Sequence, residues 1–433
     1  MKSRERMSWT PTAAVALAGV LGLLGPVAAS AADQPPERNA GVLERARPDY
    51  DAVGLRSGAF VILPKVTTTV DFSDNIYASP SNTVSDSIAL IQPEVTVRSD
   101  WSRDMVELYA RGAFSAYASH SSENATEAEV RGSGRYDLWE GSNLNGGLGY
   151  AYLIEPRYLA TAQAQSGLPT VSNGPEHFTL LSGHLGGVQA LNRVRFIETL
   201  QIADYRYEAY PVTFGGLGGE KTRDRTEWTE TGRAELAVSP DTTVFVQGDL
   251  NQRDYRLKPP LTPLDRTSNG YAVTAGARLD LTHLIRGEFR AGYLNQDYDS
   301  SAFRSVSGLS LSGRLDYFVT PLTTVTFTAD RSVGDAADPR SSGYVTLNGG
   351  VEVDHELRRN VILTGRVFAA HDDYRGIDRT DDRWNARVGG TWLLNRTVGL
   401  GVFFDHIDVN SSGAAAISNY AVNQVLISLV IQR

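Results

Sequence analysis

Arginine and carboxylate residues recur two positions apart along this chain, in the pattern Arg-x-Asp or Arg-x-Glu. The repeats are Arg135 with Asp137, Arg233 with Glu235, Arg278 with Asp280, and Arg314 with Asp316, each shortly before a turn. On a β-strand, residues i and i+2 share a face. Each arginine can therefore pair with its carboxylate, while the intervening residues point the other way. The repeat predicts strands with one charged face and one apolar face.

Other charged residues lie at alternate positions that place them on the same face of their strands, which we call the same parity. Together with the repeats they form the candidate site. The predicted residues are Arg135, Asp137, Arg233, Glu235, Arg278, Asp280, Glu288, Arg290, Arg314, Asp316, Arg366 and Arg387. An arginine facing lipid near the bilayer midplane costs roughly 2–4 kcal/mol, so this face is expected to line a water-filled lumen. Opposite charges on neighbouring strands can form ladders. Two compatible interpretations stay open: the ladders stiffen the wall, or they also set a transverse field and selectivity.

Tyrosines beside carboxylates form a second pattern at the ends of several strands. Tyr255, Tyr298 and Tyr374 each follow an aspartate and share the parity of the charged face. Tyrosine rings can stack on sugar rings, which suggests a low-affinity saccharide track at the pore mouth. The alternative is that a β-bulge shifts the parity and the tyrosines face the membrane interface.

The sequence contains no pattern typical of catalysis or metal binding. None of the seven histidines lies in His-x3-His or His-Glu-x2-His spacing, and there is no cysteine. We expect no enzyme activity, no cofactor and no metal site. An acidic chain without a basic tail also argues against nucleic acid as a partner.

The N-terminus carries the features of an export signal. Lys2, Arg4 and Arg6 precede an apolar run over residues 13–24, and Ala29-Ser30-Ala31 fits a small-x-small cleavage site. The run is too short to span about 30 Å of hydrocarbon. We predict a signal peptide over 1–31, a periplasmic extension over 32–57 and a single barrel domain over 58–433. Without residues 1–31 the formal net charge changes from −9 to −11, because three basic residues and one acid leave.

From Gly58 onward the chain alternates between strand, short turn, strand and long polar loop. In the last strand Val425, Ile427, Leu429 and Ile431 occupy alternate positions, which is a β rather than an α period. Eight short turns plus the first and last strands predict about 18 strands, with 16 as the alternative if Pro64 or Pro93 disqualifies one. A soluble two-sheet sandwich would not require connections that alternate so strictly in length. We expect a closed antiparallel transmembrane β-barrel with short periplasmic turns, longer extracellular loops and both termini in the periplasm.

Residues 47–125 resemble a known family of outer-membrane proteins. The matching segments are Arg47-Pro48-Asp49-Tyr50-Asp51-Ala52, Gly58-Ala59-Phe60 with Pro64, Asp74-Asn75-Ile76-Tyr77-Ala78, Ser99-Asp100-Trp101-Ser102-Arg103 and His120-Ser121-Ser122-Glu123-Asn124. They are similar to the putative β-barrel porin 2 family of alphaproteobacterial type. The resemblance implies an outer-membrane barrel of a Gram-negative bacterium, and some members are associated with exopolysaccharide or capsule production.

Three functions are compatible with these features: a porin-like channel for small solutes or saccharides, a component of exopolysaccharide export or assembly, and a plugged structural barrel. The expected partners are outer-membrane lipid, lipopolysaccharide and the barrel-insertion machinery. A polysaccharide or its export complex is a further expected partner under the second function.

Overall fold

The computed structural model describes residues 40–155, 157, 174–208, 213–214, 217–218, 220–259, 265–282, 284–336, 338 and 340–433. The predicted signal peptide and residues 32–39 lie outside the described residues. Within the described ranges, no helix is both long enough and apolar enough to cross a bilayer.

The described chain is almost entirely β-strand, with two short 3-10 helices at Ser121–Glu123 and Glu220–Arg223. The strands are β1 Leu55–Ser57, β2 Phe60–Ser73, β3 Asp86–Ser99, β4 Met105–Tyr117, β5 Ala125–Trp139, β6 Ser142–Glu155, β7 Glu176–Leu191, β8 Val194–Tyr207, β9 Thr213–Phe214, β10 Leu217–Gly218, β11 Arg225–Ser239, β12 Thr242–Tyr255, β13 Ser268–Leu281, β14 Ile285–Tyr298, β15 Val306–Thr320, β16 Thr323–Gly334, β17 Gly343–Arg358, β18 Val361–Arg375, β19 Thr380–Leu393, β20 Val398–Ser412 and β21 Tyr420–Gln432.

Eighteen of these strands close into one antiparallel barrel. Each barrel strand pairs with the next along the chain, β8 pairs with β11, and β21 pairs back with β2, for example Val66 with Ile431. The short β1 adds to β2, while β9 and β10 form a separate hairpin. The prediction of an 18-stranded closed barrel is confirmed.

The alternative of 16 strands is wrong, because both prolines fit into strands where a ladder bond is already missing. Pro64 lies one residue beyond the last pair between β2 and β21, Lys65 with Gln432. Pro93 lies where the β3–β4 ladder is interrupted between the Ile91 and Glu94 pairs. Proline lacks a backbone N–H, so it is tolerated at such gaps.

The two faces of the wall differ as the alternation predicts. Large apolar side chains at alternate positions, such as Leu250, Val367 and Val402, are exposed on the outer surface, where lipid would cover them. Trp101, Trp139 and Trp392 are exposed beside turns, as expected for an interfacial girdle.

One pair of charged groups departs from this pattern. Glu198 and Glu230 have the outward parity of Leu200 and Trp228, are exposed, and are hydrogen-bonded to each other.

The connections differ in length at the two ends of the barrel. One end has tight turns at 140–141, 192–193, 240–241, 321–322 and 359–360, and we call it the short-turn end. Gly141 and Asn192 adopt positive φ there, which tight turns require. The other end has the connections 156–175, 208–224, 256–267 and 335–342, and we call it the long-loop end. Because short and long connections alternate along the chain, all short turns lie at one opening and all long loops at the other, whatever their distance in sequence.

Val367, at the middle of β18, tests which face meets lipid. We expect Val367→Arg to lower the free energy of unfolding by about 2–4 kcal/mol in bilayers, as an arginine near the midplane does. The native Arg366 beside it has the opposite, inward parity. Urea titration of the reconstituted barrel, followed by heat-modifiable gel migration, measures the change. Val367→Leu is the apolar control, and equal stability of the two variants would contradict the assigned face.

Candidate functional site

The Arg-x-acid repeats form ion pairs along single strands. Arg135 Nε lies 2.9 Å from Asp137 Oδ1, and Arg314 Nη2 lies 3.0 Å from Asp316 Oδ1. Arg233 Nε lies 2.8 Å from a carboxylate oxygen of Glu235. Three of the four repeats therefore pair at the i, i+2 spacing. In the fourth, Arg278 turns away from Asp280 and pairs with carboxylates of other strands.

The repeats are also linked across strands. Glu288 on β14 accepts from Arg233 Nη1 at 2.7 Å and lies 3.0 Å from Arg278 Nη2. Arg233 reaches it from β11 by crossing over the ring of Phe245, 3.4 Å from its centroid. Glu235 is shared by Arg233, Arg278 and Arg195. We call this inward-facing network of β5, β8 and β11–β15 the charged belt.

The other predicted residues join the inner wall less tightly. Arg290 lies 3.9 Å from Asp249, and Arg387 forms a buried ion pair with Asp405. Arg366 lies near Arg387 and forms no salt bridge with any residue that the structure describes. The sequence prediction omitted Arg286, although its position in β14 gives it the same inward parity as Glu288. Arg286 Nη2 lies 2.8 Å from Asp316 Oδ2.

The inner wall is open to water at part of the charged belt. The side chain of Arg314 is 60% exposed although it faces inward, and Arg278 and Glu288 are each 34% exposed.

At the long-loop end, the connection between β16 and β17 reaches into the lumen at Asp335; we call its described residues, 335–336, 338 and 340–342, the inserted loop. Asp335 Oδ2 lies 3.2 Å from Arg225 Nη1 and 3.7 Å from Arg223 Nε. Asp335 Oδ1 lies 3.6 Å from Arg266 Nη1 and accepts a hydrogen bond from the Tyr255 hydroxyl. These partners belong to the β11–β13 side of the barrel and precede Asp335 by 69 residues (Arg266) to 112 residues (Arg223). The inserted loop therefore narrows this opening.

The electrostatics of the inserted loop favour this docked position. Burial alone would raise the pKa of Asp335, but Arg225, Arg266 and Arg223 together hold it well below its usual range. Arg223 is itself paired with Glu155 at 2.7 Å. Arg225 is likewise paired with Glu227 at 2.7 Å, so Asp335 adds a further carboxylate to a network of buried ion pairs.

The inserted loop is held on its second side by the end of β18. Ser341 is fully buried, and its hydroxyl donates to the Arg375 carbonyl at 2.8 Å. The Ser342 amide donates to the same carbonyl at 3.0 Å. The loop is therefore fixed between two separate sectors of the wall.

The three tyrosines of the predicted saccharide track are packed under these loops. Tyr255 and Tyr374 are 2% and 3% exposed. Tyr374 packs against Tyr344 and below Arg379, and Tyr298 packs edge-on against Phe303. Their position at one mouth follows the inward parity, but their faces are covered. This structure does not present them as a sugar-stacking surface, because loops that the strand pattern could not place lie on them.

At the short-turn end, residues 40–51 lie inside the mouth, and we call them the N-terminal strap. Val42 is fully buried, and its amide donates to Thr324 Oγ1 at 3.0 Å. Glu356 of β17 accepts from Arg45 at 3.1 Å and from Arg47 at 3.0 Å. The sequence indicated only a polar extension here. The inward parity of Glu356 could have indicated that this carboxylate has a cationic partner inside the barrel. The residues around it do not indicate which segment supplies that partner.

Comparison with known proteins agrees with this architecture. Residues 47–433 match the family described as putative beta-barrel porin 2, so the resemblance predicted from residues 47–125 is confirmed over almost the whole described chain. No curated protein matches the chain in sequence.

Among solved structures, the chain is similar to Pseudomonas aeruginosa OpdK crystallised with vanillate, with 11% identity and a TM-score of 0.45, covering 86% of this chain and 99% of that one. It is similar to OccK2 (OpdF) of the same organism, with 9% identity and a TM-score of 0.46, covering 86% and 98%. A P. aeruginosa ferric enterobactin receptor (PfeA) matches with 8% identity and a TM-score of 0.45, covering 88% and 81%. At these identities the likeness concerns the fold alone. The chain belongs to the putative β-barrel porin 2 family and is a porin-like outer-membrane β-barrel.

Proposed function

We propose that the barrel is a water-filled channel through which small hydrophilic solutes cross the outer membrane, with the short-turn end in the periplasm and no catalytic role. The observation that supports it most is the charged belt on the inner wall, where the inward-facing side chain of Arg314 is 60% exposed to water. A dry, filled interior would have to bury such charges at a cost of several kcal/mol each.

The two constrictions limit the proposed solutes to small ones. The inserted loop narrows one opening and the N-terminal strap narrows the other, so the free path is smaller than an 18-stranded bore would allow. Charges of both signs line the belt, so we propose passage of polar solutes without strong discrimination by charge.

Conductance and solute uptake test this function. We expect the purified, heat-modifiable barrel to give discrete conductance steps in planar bilayers. We also expect liposomes that contain it to swell in arabinose and glucose, and much more slowly in raffinose. Liposomes carrying heat-denatured protein are the control. A folded barrel that gives neither steps nor swelling would identify a plugged structural barrel and overturn the proposal.

A further inference from the structure

The N-terminal strap is a compact unit held together by its own contacts. Arg47 Nη2 donates to the Val42 carbonyl at 2.7 Å, and the Arg47 amide donates to Asp51 Oδ2 at 2.7 Å. Glu44 accepts from the Gly41 amide at 2.9 Å. Its internal backbone hydrogen bonds close two turns, at 41–45 and 47–51. These contacts tie the two turns of the strap to each other.

The strap meets the wall through side chains that face the lumen. Arg286, Thr324, Glu356 and Gln432 all have inward parity, and each contacts it. Arg396, in the turn after β19, donates to the Pro48 carbonyl at 2.7 Å. These contacts extend from β14 to β21, which is eight of the eighteen barrel strands. The strap thus covers a large sector of the inner wall at one opening.

The contacts between the strap and the barrel wall can break and form again without unfolding the barrel. Among the described residues, no backbone–backbone hydrogen bond joins the strap to the barrel. The contacts are ion pairs and side-chain hydrogen bonds, so they can break while the strand ladder of the barrel stays intact. Glu356 is the central group, since it is 4% exposed and binds both Arg45 and Arg47. Loss of that one carboxylate removes the anionic partner that Arg45 and Arg47 share.

We propose that the N-terminal strap is a removable gate at the short-turn end of the pore, with Glu356 as its latch. The proposal rests on the proposed channel function. When the strap leaves, the inner wall of β14–β21 is uncovered and the opening widens. The barrel ladder is unaffected, because every strand keeps its neighbours.

A reversible cross-link gives the sharpest test. A Cβ added at Gly41 would lie 3.6 Å from Oγ1 of Thr324, the position that a cysteine sulfur would take, so a disulfide between the two positions is within reach. The chain contains no cysteine, so Gly41→Cys with Thr324→Cys creates a single disulfide in the full-length protein. In planar bilayers we expect the oxidised form to stay at a low conductance level. Reductant should raise the mean conductance about twofold or more, and each single variant should ignore reductant.

Removal of the latch tests the same gate without a cross-link. We expect Glu356→Gln to shift the channel toward the higher level that the reduced double variant reaches. Asp49→Asn is the matched control, because Asp49 is an exposed acid of the strap with no contact to Glu356. Folding is verified by heat-modifiable migration.

The outcomes separate the gate from the channel. Currents that flow but are equal in the oxidised and reduced forms would overturn the gate and leave the channel intact. Currents higher in the oxidised form would do the same. If the native barrel carries no current, and the folded double variant carries none in either redox state, both proposals are overturned.

Discussion

Asp335→Ala is expected to raise the single-channel conductance roughly twofold or more, because it releases the inserted loop that narrows the long-loop end. Asp335 is the carboxylate that Arg223, Arg225 and Arg266 share. Arg223 and Arg225 keep Glu155 and Glu227 as partners, but the buried Arg266 loses the carboxylate that it contacts. Breaking a buried ion pair typically costs about 3–5 kcal/mol, more than a short loop gains from its remaining hydrogen bonds. Planar-bilayer recordings at moderate salt measure the effect.

The matched control for this variant lies three residues away in the same loop. Asp338 pairs at 2.6 Å with Arg340, whose side chain is 52% exposed. A pair with one partner in water is worth only about 0–1 kcal/mol, so Asp338→Asn should leave the conductance close to the native value. If both variants fold and conduct equally, the Asp335 cluster does not hold the loop.

The second large effect is expected at the charged belt, where Glu235→Gln should shift the pore toward anions. Glu235 is 2% exposed and is shared by Arg195, Arg233 and Arg278. Neutralising it leaves three arginines with one carboxylate fewer. A unit charge about 4 Å away contributes about 1 kcal/mol in water, enough to change the anion-to-cation permeability ratio several-fold. Reversal potentials in a potassium chloride gradient measure this ratio.

Two conditions make the belt experiment specific. Glu230→Gln on the same strand removes an acid of outward parity, so it should leave the selectivity unchanged. The shift from Glu235→Gln should also shrink at 1 M salt, where the screening length falls to about 3 Å. An equal shift from both variants would show that the belt does not face the permeation path.

Local spacing predicted the wall of this barrel, because a strand has a period of two. Arg135 and Asp137 could be assigned to one face from their positions alone, and the ion pair between them follows from that spacing. Pro64 and Pro93 were ambiguous because the sequence does not reveal where a ladder bond is missing.

The constrictions could not be predicted, since they depend on contacts between distant segments. Asp335 lies in the stretch Gly334-Asp335-Ala336-Ala337-Asp338, which reads like any solvated loop. Its partner Tyr255 is 80 residues away. Sequence fixes the length of such a loop but not whether it folds outward or into the lumen. The same reason explains why Tyr255 and Tyr374 were expected to be open and are covered.

Closure of the ring has a consequence for how the barrel is made. The seam joins residues 65–73 of the first barrel strand to residues 424–432 of the last, so it spans nearly the whole described chain. Contacts between such distant residues carry the largest loop-closure entropy and form slowly. Until the seam forms, two unpaired strand edges remain, and each is a site where chains can associate wrongly. Assembly of this protein therefore depends on holding those edges apart from other chains until the last strand has been delivered.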